Sequence, residues 1–260
     1  MKASTLFISL FFLFSCDFSS RLQKDILQAQ NYFKKNKYLL AANKYEAILK
    51  QNPSETIRTK VLFQLGELYN LYLNQEKRAV KQFDQIVKTS TQPTWIVKAT
   101  IKSADIHFHF LKDYKKCIKL YKSLISFKPK ISSTDLFEHR LGISLTKEDN
   151  FKEAESIFKK ISQDVTHTYY NNSFYYSGLI QFNQKKWKEA IGFWEQFLRR
   201  EKRKDKLLET KFLIANAYET MEELKKAYRI YYSILSEHPN PEMIKNRPTS
   251  LYKRRIARKR

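Results

Sequence analysis

The chain has 260 residues, and 49 Lys and Arg against 26 Asp and Glu give it a formal net charge of +23. Four glycines and two cysteines are too few for a glycine-rich phosphate-binding loop or a disulfide framework. Zinc-protease and serine-hydrolase motifs are also absent, and His107 and His109 are spaced two apart, on different faces of a helix. We therefore expect no enzymatic activity, no cofactor and no metal site.

The first residues have the pattern of an export signal. Met1 and Lys2 precede an apolar run from Leu6 to Phe14, which is too short to span a membrane and fits the apolar region of a signal peptide. Leu13-Phe14-Ser15-Cys16 resembles the bacterial lipoprotein signal, and that resemblance implies cleavage before Cys16 and its acylation. Residues 1–15 would then be a signal peptide and 16–21 a lipidated linker. An ordinary signal peptide, an uncleaved anchor and no export are the alternatives, and Asp17 leaves the choice of membrane open.

A regular repeat begins after this segment. A small residue is followed four positions later by an aromatic residue and seven positions later by a bulky apolar residue, six times, at intervals of 36 to 38 residues. This spacing places each triplet on one face of a helix, and a constant period predicts stacked helical repeats. The triplets are Ala41/Tyr45/Ile48, Ala79/Phe83/Ile86, Cys117/Tyr121/Leu124, Ala154/Phe158/Ile161, Ala190/Trp194/Phe197 and Ala227/Tyr231/Ile234.

Each triplet has a second small residue 12 or 13 positions before it. Gly66, Gly142 and Gly178 occupy this position in three repeats. Glycine inside a helix costs roughly 0.5–1 kcal/mol relative to alanine, so its use here predicts a close approach of two helices. Alanine fills the same position in the other repeats, at Ala29, Ala104 and Ala215.

These residues resemble the tetratricopeptide (TPR) pattern, most closely at Leu141-Gly142, Phe151, Ala154 and Phe158. The resemblance implies an all-α TPR-like helical-hairpin solenoid, a superhelix of about six repeats. An irregular all-α bundle is the alternative. We divide the chain into repeats at approximately 22–56, 57–93, 94–131, 132–167, 168–204 and 205–240.

The TPR resemblance implies binding of a protein or peptide on the concave side, which the first helix of each repeat would line. In each first helix, we expect the residue three positions before the small residue to face the concave groove. The alternative is that these side chains pack between adjacent repeats. A lipoprotein signal followed by TPR repeats resembles the outer-membrane assembly lipoproteins of the BamD type. The resulting hypothesis is an exported, lipid-anchored scaffold in bacterial cell-envelope assembly. The expected groove residues are Ile26, Phe63, Ile101, His139, Tyr175 and Phe212.

Residues 241–260 form a basic segment that we expect to cap the last repeat. Their charge could hold anionic lipid or wall polymer, which gives an alternative function, whereas an exported protein is not expected to bind nucleic acid. Pro248 is predicted to break the segment into two pieces, with Leu251 and Ile256 packing inward. Most side chains of residues 253–260 are expected to point to solvent. The predicted basic surface is Lys253, Arg254, Arg255, Arg258, Lys259 and Arg260.

Overall fold

The computed structural model describes residues 20–237 and 241–257. Within these residues it contains thirteen α-helices, one π-helical segment and no strand. The chain divides into two compact units, unit 1 ending at Leu111 and unit 2 beginning at Lys112. The all-α, TPR-like fold class that the sequence predicts is confirmed.

Unit 1 consists of two helix pairs followed by a fifth helix. Helices α1 and α2 pack against each other, as do α3 and α4, and α5 packs on α4. The last helix continues into a π-helical segment at His107–Leu111. The helices are α1 Ser20–Lys34, α2 Tyr38–Leu49, α3 Glu55–Leu71, α4 Glu76–Thr89 and α5 Pro93–Ile106.

Unit 2 begins with a helix that packs on the first of three helix pairs, and it ends with a helix that packs on the last pair. The division between the units therefore falls inside the third predicted repeat, 94–131. The helices are α6 Tyr114–Ser126, α7 Thr134–Lys147, α8 Phe151–Gln163, α9 Tyr170–Asn183, α10 Trp187–Leu198, α11 Lys204–Thr220, α12 Leu224–Ile234 and α13 Pro241–Ala257.

The repeated triplets form the cores of both units. None of their side chains is more than 5% exposed. The small first residue lets the facing helix come close, and the aromatic residue one turn later fills the space between the helices. Cys117 takes the small position in α6, and burial raises the pKa of its thiol to about 12, which is typical of an inert core cysteine.

The three repeat glycines make room for an aromatic ring of the paired helix. A Cβ atom built on Gly66 would lie 2.7 Å from the Phe83 ring, and one on Gly142 would lie 2.6 Å from Phe158. A Cβ on Gly178 would collide with the indole of Trp194. The close approach is thus between helix backbone and aromatic ring. Gly192, which is outside the pattern, has no such neighbour within 4 Å.

The turns inside the repeats share one backbone feature that the sequence does not reveal. Each contains a non-glycine residue with a positive φ angle, between 50° and 62°. In most of them two backbone hydrogen bonds close the first helix, as in Lys185 N to Phe182 O and Lys186 N to Gln181 O, each 2.9 Å, which is a Schellman arrangement. The residues are Asn36, Asn74, Lys112, Asp149, Lys185 and Glu222, and their spacing equals that of the triplets.

Two predictions for the C-terminal segment are wrong. Helix α13 runs without interruption through Pro248, because Ile244 and Leu251 on either side of the proline are buried and hold both halves in place. Tertiary packing therefore offsets the hydrogen bond that proline removes. Ile256 does not pack inward, since it is 37% exposed.

Candidate partner-binding surfaces

Unit 1 has an open cleft of about 430 Å³ on the face formed by its first helices. Phe33, Tyr45 and Trp95 form its aromatic part, and α1, α3 and α5 all contribute to its walls. Lys34 and Lys60 are exposed on its rim, and no carboxylate lines it. The complete lining is Gln30, Phe33, Lys34, Tyr45, Lys60, Gln64 and Trp95.

Sequence reasoning did not find this cleft. Trp95 lies outside the repeated triplets, two residues after Pro93, which begins α5. Lys60 and Gln64 lie one turn apart on the exposed face of α3, where a polar side chain has no distinguishing pattern. The one feature of the sequence that could have indicated the cleft is Trp95, a large aromatic residue that the repeat pattern does not explain.

The expected groove residues of unit 1 are partly buried in packing contacts. Ile26 and Phe63 pack against the core of the unit, and Ile101 is also partly buried. The Phe63 ring lies 5.3 Å from that of Trp95 on α5 and 5.5 Å from that of Phe83 on α4. Phe63 therefore supports the wall of the cleft from behind through Trp95.

The expected groove residues of unit 2 also contact neighbouring helices. His139 is buried and stacks on Tyr169 at 4.1 Å. Burial lowers the pKa of His139 to about 4, and the charges of His167 and Arg140 act in the same direction. Tyr175 donates a 2.7 Å hydrogen bond to Glu209 on α11, and the Phe212 ring lies 5.7 Å from that of Tyr231. The contacts of His139 and Tyr175 match the alternative of packing between repeats, whereas the contact of Phe212 with Tyr231 lies within the last repeat. A role of these residues in partner binding stays a prediction.

The basic segment is partly neutralised by acidic residues of α11 and its turn. Arg254 is 3.2 Å from Glu219 and 2.6 Å from Glu222, and Arg247 lies 2.8 Å from Glu219. Lys253 is exposed. Arg254 is therefore an exception to the expectation that most side chains of residues 253–260 point to solvent. The Arg255 side chain, Arg258, Lys259, Arg260 and the lipidation candidate Cys16 lie outside the described residues.

None of the helices in the described part of the chain is both long and apolar enough to cross a membrane. The sequence model of the tetratricopeptide repeat family matches residues 60–90 of unit 1 and residues 172–201 of unit 2. No curated protein sequence matches the chain.

Solved structures share the fold at low sequence identity. PilW, described as a widely conserved type IV pilus biogenesis factor, is 14% identical with a TM-score of 0.56, over 88% of this chain and 99% of that one. A TPR protein from Parabacteroides merdae is 14% identical with a TM-score of 0.61, over 92% and 93%. PilF of Pseudomonas aeruginosa is 9% identical with a TM-score of 0.52, over 90% and 98%. The chain thus carries tetratricopeptide repeats and has a TPR-like all-α fold.

Proposed function

We propose that this protein is a membrane-anchored scaffold of the bacterial cell envelope, which binds a segment of a partner protein on the face formed by α1, α3 and α5. The cleft of unit 1 is the observation that carries this proposal. It combines an aromatic floor with a lysine rim, and aromatic side chains supply much of the energy of protein interfaces. A TPR-like fold supports binding of a protein partner.

The charges around the cleft indicate the chemistry of that segment. Asp25 on α1 pairs with Lys44 at 2.6 Å, and Glu67 on α3 pairs with Lys102 at 2.8 Å. These carboxylates therefore do not pair with Lys34 or Lys60 on the rim. A segment with an aromatic or large aliphatic anchor, flanked by Asp or Glu, would complement both the floor and the rim.

The envelope location is supported by two independent features. The Leu13-Phe14-Ser15-Cys16 sequence resembles a lipoprotein signal, and PilW, which has a similar fold, is described as a pilus biogenesis factor. Acylation of Cys16 with several chains would give the stable attachment that one chain does not. The proposed role is that of an adaptor in envelope assembly, comparable to the BamD type.

The alternative, in which the basic C-terminal segment holds anionic polymer or lipid, has less support. Arg247 and Arg254 both form ion pairs with acidic residues of the same unit, which reduces the charge available to an external polymer. The two functions also differ in their response to salt. Polymer binding should weaken steeply with ionic strength, whereas an anchor in an aromatic cleft should be retained.

Site-specific crosslinking in cells tests the proposed cleft. A photoreactive amino acid in place of Gln64 should crosslink to one envelope protein, whereas the same group in place of Gln85, which is exposed on α4, should not. Lys60→Glu should abolish the Gln64 crosslink, because it reverses a charge on the rim without changing the core. Crosslinks of equal yield at both positions, or insensitivity to Lys60→Glu, would contradict the cleft.

The anchor requires a separate test. Cys16→Ala should release the protein from the detergent phase or leave it unprocessed, and mass spectrometry of the native protein should show an acylated Cys16 as its first residue. An unmodified Cys16 would remove the lipid anchor from the proposal but leave the cleft to be judged by its own crosslinks.

A further inference from the structure

Large apolar side chains are exposed at two adjacent turns of unit 1. Leu39 and Leu40, just inside α2, are 56% and 46% exposed, and Leu71 and Tyr72, at the end of α3, are 59% and 43% exposed. We call residues 34–40 and 71–75 the turn edge of unit 1. Exposed apolar patches with a polar rim mark protein or membrane interaction sites, and these four side chains give this edge the composition of such a surface.

The turn edge is held together by aromatic contacts. The Tyr72 ring lies 4.4 Å from that of Tyr38 and 5.1 Å from that of Phe33. The Tyr38 hydroxyl donates a 2.8 Å hydrogen bond to Asn36 in the first turn. The two turns therefore form one preformed surface, and presenting the leucines to a partner requires no rearrangement.

The charge of the turn edge has a single sign. Lys34, Lys35 and Lys37 lie in its first turn and are all exposed, and neither 34–40 nor 71–75 contains an aspartate or a glutamate. Two of the three equivalent turns of unit 2 contain acidic residues, Glu148 and Asp149 in one and Glu222 and Glu223 in the other. None of the large apolar side chains exposed in the described part of unit 2 lies in any of the three turns.

We propose that the turn edge of unit 1 docks on an anionic lipid bilayer. Leucines at the tip of a helical hairpin can enter the headgroup region, lysines beside them can contact anionic headgroups, and tyrosines favour the boundary between the two. A membrane fits better than a protein segment, because the leucines lie at the helix ends that border the turns, at the tips of the hairpins, instead of lining a groove. This contact does not require Cys16. It borders the cleft, since Lys34 belongs both to the turn edge and to the cleft rim, and it would fix the orientation of unit 1 on the membrane.

Fluorescence quenching by lipid tests the proposal in the full chain. Leu71→Trp should be quenched by brominated lipids in vesicles of phosphatidylcholine and phosphatidylglycerol. Val165→Trp is the matched control, since Val165 is 75% exposed but lies in unit 2. Any binding by residues 1–19 is common to both variants. We expect Leu71→Trp to show more quenching than the wild-type protein, whose own tryptophans give the baseline. Val165→Trp should show no quenching above that baseline.

A charge-reversal pair provides the second measurement. Lys35→Glu combined with Lys37→Glu should weaken the vesicle titration of Leu71→Trp by about tenfold or more at low salt, because each lysine near an anionic surface contributes roughly a factor of five. The control combines Lys50→Glu with Lys88→Glu. These lysines lie at the C-terminal ends of α2 and α4, away from the turn edge, so their reversal should have a much smaller effect. Equal quenching at positions 71 and 165, or equal weakening by both pairs, would overturn the proposal.

Discussion

The turns of the two units share a backbone conformation but carry different side chains. Asn36 and Asn74 in unit 1, and Asp149, Lys185 and Glu222 in unit 2, all have a positive φ angle at the same point of the repeat. Unit 1 surrounds this residue with leucine, tyrosine and lysine, and unit 2 surrounds it with acidic or amide side chains and lysine. The hairpin geometry therefore sets the backbone, while the turn surface is free to diverge and to acquire a function.

The cores differ in a similar way. In unit 1 the Phe83 ring covers Gly66, whereas in unit 2 the Trp194 indole covers Gly178 and donates a 3.1 Å hydrogen bond to the Tyr175 carbonyl oxygen. At the position where unit 1 has Phe63, unit 2 has the buried His139. At these two positions unit 2 thus has a polar group where unit 1 has apolar packing. Substitutions at the matched positions should therefore change the stability of the two units by different amounts.

The largest effect is expected from alanine at the repeat glycines. Gly178→Ala should lower the free energy of unfolding by about 3 kcal/mol, because the new methyl group displaces the indole and breaks its hydrogen bond. Gly66→Ala should cost about 2 kcal/mol, because only an apolar ring must move. Urea denaturation gives these values, and hydrogen exchange assigns each loss to its unit.

Gly192→Ala is the control for that comparison. It adds a methyl group to open space in α10, so it should stabilise the protein by about 0.5–1 kcal/mol. Equal losses for Gly178→Ala and Gly66→Ala would show that the hydrogen bond of Trp194 adds nothing to the packing term.

Acid should destabilise unit 2 through His139. Its pKa is about 4 in the folded protein against 6.5 for a histidine exposed to water, so the unfolded chain binds the proton first. The stability that neutral His139 contributes is full above pH 6.5 and is lost as the pH falls towards 4, by roughly 3 kcal/mol at most.

His139→Phe is the matched variant, because phenylalanine occupies the equivalent position of α3. Urea denaturation of both proteins at pH 7 and pH 4.5 should show a smaller acid loss for the variant. An identical loss in both proteins would assign the acid sensitivity to other groups.

The sequence predicts the helices and their buried faces well, for a physical reason. A triplet such as Ala190/Trp194/Phe197 must keep its spacing to stay on one helix face. Buried residues therefore recur in the sequence at a fixed spacing, and this spacing can be recognised. The positive φ angles of Lys185 and Glu222 could not be predicted, because this conformation favours glycine or asparagine and neither residue is present there. Local backbone hydrogen bonds at the end of the first helix, such as Lys186 N to Gln181 O and Glu223 N to Tyr218 O, close these turns instead, and the side chains present there do not indicate them.

The candidate surfaces were predicted less well than the fold. His139 and Tyr175 lie at the expected position of their helices, but their contacts are with neighbouring helices. Trp95 and Leu71 do not belong to the repeated pattern, and whether they are exposed depends on which helices surround them. Arg254 has the pattern of a solvated charge, and its ion pairs with α11 become visible only once α13 is placed.

The ion pairs of α13 give unit 2 a charged cap, and they should have a moderate effect. Arg254→Ala should lower the stability of unit 2 by about 1 kcal/mol, because it removes two partly exposed ion pairs. Lys253→Ala, one residue away and exposed, should change it by only a few tenths of a kcal/mol. Thermal denaturation at low and high salt checks both, and the difference should shrink in high salt. A similar loss for the two variants would mean that the ion pairs of Arg254 add nothing to the stability of the α13 cap.

The smallest effect is expected at the positive-φ residues of the turns. Lys185→Gly should stabilise unit 2 by about 1 kcal/mol, because glycine adopts this conformation without the steric cost that a lysine Cβ incurs. Asn36→Gly in unit 1 should gain only a few tenths, since asparagine already tolerates the left-handed region. Lys186→Gly, at the next residue and with negative φ, is the control and should be neutral or destabilising. Urea midpoints measured by circular dichroism rank the three variants. A gain at Asn36 equal to that at Lys185 would show that the two units hold their turns with the same strain, and that asparagine gives unit 1 no advantage.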